Sequence, residues 1–201
     1  MDVTNILMAG VGGQGIILAS DILCNLMLDA GFDVKKSEVH GMAQRGGSVT
    51  CHVRFGPRVF SPLIKQGEAD ILMAFEKLEA LRYLHYAKKG AMALVNDVEI
   101  YPATVCLGKD AYPNNIPTTI QDYGLQLLIV PGLQLAQQAG NIRSVNIVLL
   151  GALSTWLEVA ENLWIDAITQ SLPERLVAVN LEAFRLGREA SAQSALSGQR
   201  W

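Results

Sequence analysis

The chain has little cysteine, little charge and no long apolar run, and each shortage removes a class of function. Its three cysteines, Cys24, Cys51 and Cys106, stand far apart and form no C-x-x-C. The chain alone therefore has no ligand set for a ferredoxin-type cluster. The three histidines, His40, His52 and His85, have no metal-ligand spacing. Asp, Glu, Lys and Arg make up 17% of the residues, below the usual quarter. Net charge is −3 and no basic run exceeds Lys35-Lys36 or Lys88-Lys89, which argues against nucleic-acid binding through a basic patch. The most apolar stretch, 145–157, is interrupted by Asn146, Gly151, Ser154 and Thr155. It falls short of the roughly 20 apolar residues needed to cross a bilayer. The opening Met1-Asp2-Val3-Thr4 lacks the charged start and apolar stretch of a signal peptide, so a reduced cytoplasm with free thiols is the expected compartment. There is no G-x-x-x-x-G-K-[ST], no G-x-S-x-G and no thiamine-type G-D-G with a downstream Asn pair. Asn114-Asn115 lies in a Pro-flanked loop and reads as a turn.

Half of the 201 residues are hydrophobic, enough for one domain with a substantial core. Low charge with a mean hydropathy of +0.25 points to a large surface buried against a partner, though a compact domain with little surface gives the same numbers. Strands are expected at 5–9, 32–36, 49–55, 69–75, 91–96 and 126–130, and helices at 15–30 and 77–88, the latter closed by Gly90. Pro102, Pro113 and Pro117 make 98–121 irregular. Helices at 131–140, 143–160, 165–172 and 174–190 make the C-terminal part helical. This alternation predicts an α/β, Rossmann-like three-layer fold with a mostly parallel sheet, in which 49–55 could run antiparallel. Residues 1–190 read as a single domain, and 191–201 as a small, polar tail that frays.

The first informative segment is Gly10-Val11-Gly12-Gly13-Gln14-Gly15, set between an apolar strand and an apolar helix pattern. Gly10, Gly12 and Gly15 fit G-x-G-x-x-G. Such a turn lets backbone approach a ligand, and the helix start offers amides and a positive dipole end to a phosphate. It also occurs where a strand and a helix simply pack closely. A dinucleotide site further expects an acid at the end of the second strand, roughly 20 residues on. Here 32–36 ends in Lys35-Lys36, and the first acid beyond is Glu38. A plain NAD site is disfavoured.

The second segment is 37–48, which carries Glu38, His40, Gly41, Met42, Gln44, Arg45, Gly46 and Gly47 between two strands. One acid, one imidazole, one amide and one guanidinium on a glycine-rich loop could wrap a substrate or a partner. The following strand alternates. Val49, Cys51, Val53 and Phe55 share one face, and Thr50, His52 and Arg54 the other. His52 is expected to be solvated or to face a partner, His85 to be a surface or packing residue, and Cys24 and Cys51 to be core residues.

Together GVGGQG and SEVHGMAQRGGSV resemble the gamma-type domain of the 2-oxoacid:ferredoxin oxidoreductases, most closely the small (beta) subunits of the indolepyruvate type. ADILMAFE at 69–76, NIRSVNIVLLGALS at 141–154 and NLEAF at 180–184 continue the likeness over nearly the whole chain. The resemblance implies a subunit of an enzyme that oxidatively decarboxylates an aryl pyruvate to an acyl-CoA and CO2, passing electrons to ferredoxin. Thiamine diphosphate and iron–sulfur clusters would sit on a large partner subunit, with no cofactor bound by this chain alone and no catalytic residue on it alone. Coenzyme A would be a cosubstrate. Its pyrophosphate and 3′-phosphate would suit Gly10, Gly12, Gly13, Gln14 and Gly15, flanked by Lys35, Lys36 and Arg45. The 37–48 loop would face the substrate or the partner. Neither nucleic acid nor membrane is implied, and a homo-oligomer of the isolated chain is left open. Two other classes stay open: a free-standing nucleotide-dependent oxidoreductase, and a non-catalytic assembly module whose glycine turn only packs.

Overall fold

A computed structural model of the chain describes residues 2–41 and 47–196, with backbone alone at His40, Ala195 and Leu196. Among the described residues six strands form one sheet: β1 (Thr4–Val11), β2 (Asp33–His40), β3 (Ser48–Gly56), β4 (Ala69–Ala74), β5 (Ala87–Asn96) and β6 (Gln126–Val130). Their order is β2-β3-β1-β4-β5-β6. The β1–β4, β4–β5 and β5–β6 pairs are parallel, and β3 runs antiparallel to both β1 and β2. β1 is central, and Ile6, Leu7, Met8 and Ala9 are all fully buried. A strand covered on both faces reads as a continuous apolar run rather than an alternation.

The helices are α1 (Ile16–Asp29), α2 (Lys77–Arg82), α3 (Ala103–Cys106), α4 (Ile116–Asp122), α5 (Gly132–Ala139), α6 (Val145–Ser154), α7 (Glu161–Ser171) and α8 (Glu174–Leu196). The larger core joins Ile6, Met8, Val53, Met73 and Leu94 on one sheet face to α1, α6, α7 and α8. The other face is covered by α2 and α4, where Ala80, Ile116 and Ile120 meet Ala93 and Val95. This three-layer arrangement is the expected fold class. α6 is the most enclosed helix, buried from Asn146 through Ser154; a helix apolar all round belongs inside. It touches α8 at backbone distance. A Cβ at Gly151 would lie 2.1 Å from the Phe184 carbonyl oxygen, and one at Gly187 would lie 2.0 Å from that of Val148.

Several local expectations change. The strand expected to end at 36 runs on to His40, so positions 37–40 of the expected loop are strand paired with β3, and the helix expected at 143–160 ends at Ser154. The helix expected at 77–88 stops at Arg82, a 3₁₀ turn spans Leu84–Tyr86, and Lys88, Lys89 and Gly90 belong to β5. Pairing of Ala87 with Ala69 overrides local helix preference. Within 98–121 the prolines open helices instead of preventing them: Pro102 precedes α3 and Pro117 lies in the first turn of α4, where a missing N–H costs nothing. α8 continues to Leu196, past position 190. Ser191 is buried and its Oγ accepts from the Trp156 indole at 3.3 Å. His52 is buried rather than solvated. Its Nδ1 accepts the Ile64 N–H at 3.2 Å, and its ring meets Tyr86 edge-on. The 57–68 segment, which packs Ile64 against Leu7 and Leu72, covers that strand face.

Candidate functional site

The glycine turn leaves the carboxyl end of β1 and enters α1. Gly13 (φ 100°) and Gly15 (φ 78°) take left-handed backbone that only glycine adopts cheaply. Gly10 has another reason. A Cβ there would lie 2.7 Å from both Gln14 Oε1 and Phe75 Cβ. Gln14 staples the turn: its Oε1 accepts the Val11 N–H at 2.7 Å, and its Nε2 donates to the Phe75 carbonyl at 2.8 Å. Asn96, at the end of β5, donates to the same carbonyl at 3.1 Å. The turn is thus tied to the ends of β4 and β5. The Gly12 amide, expected to approach a phosphate, donates instead to the Gly47 carbonyl at 2.9 Å.

That bond brings the two sequence-predicted segments together. β2 and β3 pair up to His40–Val49, and the Gly41 N–H donates to the Ser48 carbonyl at 2.8 Å, which closes the base of the loop beside the turn. Met42, Gln44, Arg45 and Gly46 lie outside the described residues, as does the His40 side chain. Glu38 pairs with Lys36 at 2.5 Å, and Lys36 also pairs with Asp21 at 2.5 Å. Lys35 pairs with Asp33. Both lysines are engaged by carboxylates and neither lines the cleft beside the turn.

That cleft, about 790 Å³, lies beyond the carboxyl ends of β1, β5 and β6, where open α/β sheets bind ligands. Gly13, Gln14 and Gly15 form one wall. Asn141–Asn146 and the start of α8 form the other, with Leu133, Ile142, Leu172 and Leu176 as apolar surface. Among the described residues its cations are Arg143 and Arg175, and no Asp or Glu lines it. Asn146 Nδ2 donates to the Gly15 carbonyl at 3.3 Å, joining the walls. Sequence reasoning missed both arginines. Each stands alone in a helical pattern over 100 residues from the turn, so only the fold could associate them with it.

A second network lies under the loop base. Glu79, on α2 and buried, accepts from Ser48 Oγ at 2.5 Å and from Arg82 at 2.8 Å. Burial pushes its carboxyl above the usual range, opposed by the Ser48 hydrogen bond. Ser48 Oγ also meets the Tyr83 hydroxyl at 3.0 Å. Glu76 is structural: it caps α2 through the Glu79 N–H at 2.9 Å and accepts from the Ile100 N–H and the Tyr112 hydroxyl. Cys24 and Cys51 are buried and Cys106 is exposed, all as free thiols. Burial pushes the Cys24 thiol up to about 12. Among the described residues no group of three His, Cys, Asp or Glu could hold a metal ion, and no helix is long and apolar enough to cross a membrane.

The profile of the pyruvate ferredoxin/flavodoxin oxidoreductase family matches residues 5–190. The chain belongs to that family. It is similar to the indolepyruvate oxidoreductase subunit IorB of Thermococcus kodakarensis, 40% identical over 94% of this chain and 96% of that protein. The Archaeoglobus fulgidus subunit of the same name is 36% identical over 91% and 92%. Among solved structures, the gamma subunit of a keto/oxoacid ferredoxin oxidoreductase from Geobacter sulfurreducens superposes with a TM-score of 0.71 at 25% identity, covering 94% of this chain and 99% of that one. The 2-oxoglutarate:ferredoxin oxidoreductase of Magnetococcus marinus, solved with 2-oxoglutarate, coenzyme A and succinyl-CoA, gives 0.74 at 27% identity. This chain covers 32% of that one and is itself covered over 96%. Members of the family therefore occur both as separate small subunits and as a part of a longer chain.

Proposed function

We propose that this chain is the small subunit of an indolepyruvate-type 2-oxoacid:ferredoxin oxidoreductase of the cytoplasm, and that its cleft holds the phosphates of coenzyme A. One observation carries the assignment: 36–40% identity to subunits named indolepyruvate oxidoreductase over more than nine-tenths of both chains. In the reaction a 2-oxoacid and coenzyme A become an acyl-CoA and CO2, and two electrons pass to ferredoxin. Thiamine diphosphate supplies the decarboxylation chemistry and iron–sulfur clusters supply the electron path. The described donors of this chain suit neither group, so both belong to a larger partner subunit.

Coenzyme A is different, because the cleft suits it. The start of α1 and two arginines offer positive potential to phosphate, and Leu133, Ile142, Leu172 and Leu176 offer apolar surface to the pantetheine arm. This chain's part is to bind and orient the thiol donor. The Gly12–Gly47 bond sets the base of the loop, at Gly41 and Gly47, beside that donor, and the role proposed for the loop is contact with the partner or the shared active site. Val39, at its base, is 53% exposed, as a partner contact would require.

Copurification with the larger subunit, followed by ferredoxin reduction assays with indolepyruvate, pyruvate and 2-oxoglutarate, tests the assignment. The expected result is activity that needs both subunits and coenzyme A and is highest with indolepyruvate. Nucleotide-dependent turnover by the isolated chain would instead favour a free-standing oxidoreductase. A complex whose coenzyme A requirement ignores every cleft substitution would leave the chain an assembly module.

A further inference from the structure

We propose that Glu79 is a positioning residue: through the Ser48 hydroxyl it fastens the loop base, Gly41, Gly47 and Ser48, to α2 and so holds the glycine turn in its binding geometry. The kinetic consequence rests on the reading that the cleft beside the turn takes coenzyme A. The base is where the sheet ladders stop. Val11–Ser48 is the last pair between β1 and β3, and His40–Val49 the last between β2 and β3. Ladder ends open at little cost. Two backbone bonds must nevertheless stay closed to keep the base beside the turn. They are Gly12 N–H to the Gly47 carbonyl at 2.9 Å and Gly41 N–H to the Ser48 carbonyl at 2.8 Å. The fit is tight, since a Cβ at Gly41 would lie 3.0 Å from that Ser48 oxygen.

The Ser48 side chain supplies the missing anchor. Its hydroxyl lies 2.5 Å from Glu79 Oε2 and 3.0 Å from the Tyr83 hydroxyl. A hydroxyl this close to a carboxylate makes a charge-assisted bond, stronger than a neutral one. Arg82 donates to the other carboxyl oxygen at 2.8 Å. Glu79 is 2% exposed, and enclosing a carboxylate is unfavourable unless its oxygens find donors. The two donors belong to different elements, Ser48 to β3 and Arg82 to α2. Satisfying Glu79 therefore requires the end of β3 to stay against α2. Glu76 makes no such tie. Its partners are the Glu79 and Ile100 amides and the Tyr112 hydroxyl.

Amide hydrogen exchange of the full chain tests this at Gly12 and Gly41, with Leu7 and Met8 in the middle of β1 as reference, in the wild type and in Glu79→Gln, Ser48→Ala and Ser48→Thr. Glu79→Gln and Ser48→Ala should each speed exchange at Gly12 and Gly41 at least about fivefold, while changing Leu7 and Met8 by less than about twofold. Ser48→Thr, which keeps the hydroxyl, should stay within about twofold of the wild type at all four. In the reconstituted enzyme the first two variants should raise the apparent coenzyme A KM about fivefold, with less than about a twofold change in the 2-oxoacid KM. Unchanged exchange at Gly12 and Gly41 overturns the positioning role. Equal acceleration at Leu7 and Met8 also overturns it, because a general loss of stability exposes core amides as well. Local acceleration without a change in coenzyme A KM keeps the anchor and removes the coenzyme A reading. A raised KM without local acceleration keeps that reading and removes the anchor. Ser48 is half-buried at a strand end, so its variants keep the test decisive if Glu79→Gln fails to fold.

Discussion

The two ends of α6 open onto opposite kinds of surface. At its start lies the cleft of about 790 Å³, lined among the described residues by Arg143 and Arg175 and by no Asp or Glu. Beyond its end, at the amino ends of β1, β4 and β6, lies a groove of about 500 Å³ with Phe32, Phe55 and Trp156 in its walls. Asp2, Asp70 and Glu158 line that groove, and among the described residues no Lys or Arg does. Both concavities are large enough for a small molecule. Polarity separates them. Parallel strands send every following helix back in one sense, so helix starts gather at the carboxyl edge and helix ends at the amino edge. Anions are drawn to the first and repelled from the second, so volume alone is a poor guide to where a phosphate ligand binds.

The largest expected effect comes from moving α6 itself. Gly187→Ala would set a Cβ 2.0 Å from the Val148 carbonyl oxygen, and two packed backbones have no side chain to yield. Overpacking of this kind costs about 3 kcal/mol, or roughly 6–12 °C in Tm for a chain of this size. Scanning calorimetry should show that loss. Gly13→Ala meets nothing within 4 Å, so only its left-handed backbone is penalised, at about 1–2 kcal/mol. Equal losses at the two glycines would mean that α6 is not locked by its backbone contact.

Charge at the two ends gives the next effect. In the reconstituted enzyme, Arg143→Gln with Arg175→Gln should raise the apparent coenzyme A KM about 10- to 100-fold, with little change in the 2-oxoacid KM. Glu158→Gln, at the opposite groove, should change the coenzyme A KM by less than about twofold. A larger response at Glu158 than at the arginines would reverse the assignment of the two ends.

A smaller effect is purely one of stability and lies away from both ends. Burial lowers the His52 pKa below its ordinary 6.5, so the unfolded chain binds the proton more tightly than the folded one. Stability from this residue is fully present above pH 6.5 and is lost as pH falls through that value toward the lowered one. His52→Gln should flatten that part of the stability profile, followed by urea unfolding at stepped pH, without altering coenzyme A binding. The smallest perturbation is thiol labelling. One fast-reacting thiol is expected in the native chain, at exposed Cys106, with Cys24 and Cys51 reacting only on unfolding. Fast labelling at two or three sites would contradict the core placement of α1 and β3.

Much of the carboxyl edge was legible in the sequence. An apolar run, three spaced glycines and an apolar helix pattern depend on neighbours in the chain, and they placed β1, the turn and α1 within a residue or two. The left-handed backbone at Gly13 and Gly15 came from the structure; the motif singles out Gly10, Gly12 and Gly15. The loop expected at 37–48 was only partly legible, because its first residues, 37–40, continue β2 by pairing with distant β3. What depended on distant pairing was not legible. Lys88-Lys89-Gly90 looked like a helix end and became strand, because Ala69 offered a pairing partner. His52 occupied a polar strand position and became buried, because the 57–68 segment folded over that face. Lys35 and Lys36 looked like phosphate ligands until Asp33, Asp21 and Glu38 claimed them. Arg143 and Arg175 carried no local signal at all. Local sequence determined which segments became strand, turn and helix, since backbone conformation and hydrophobic period are short-range properties. Tertiary structure alone decided which charges meet at one cleft, since the direction of a parallel sheet, and with it the gathering of helix starts, exists only once distant strands have paired.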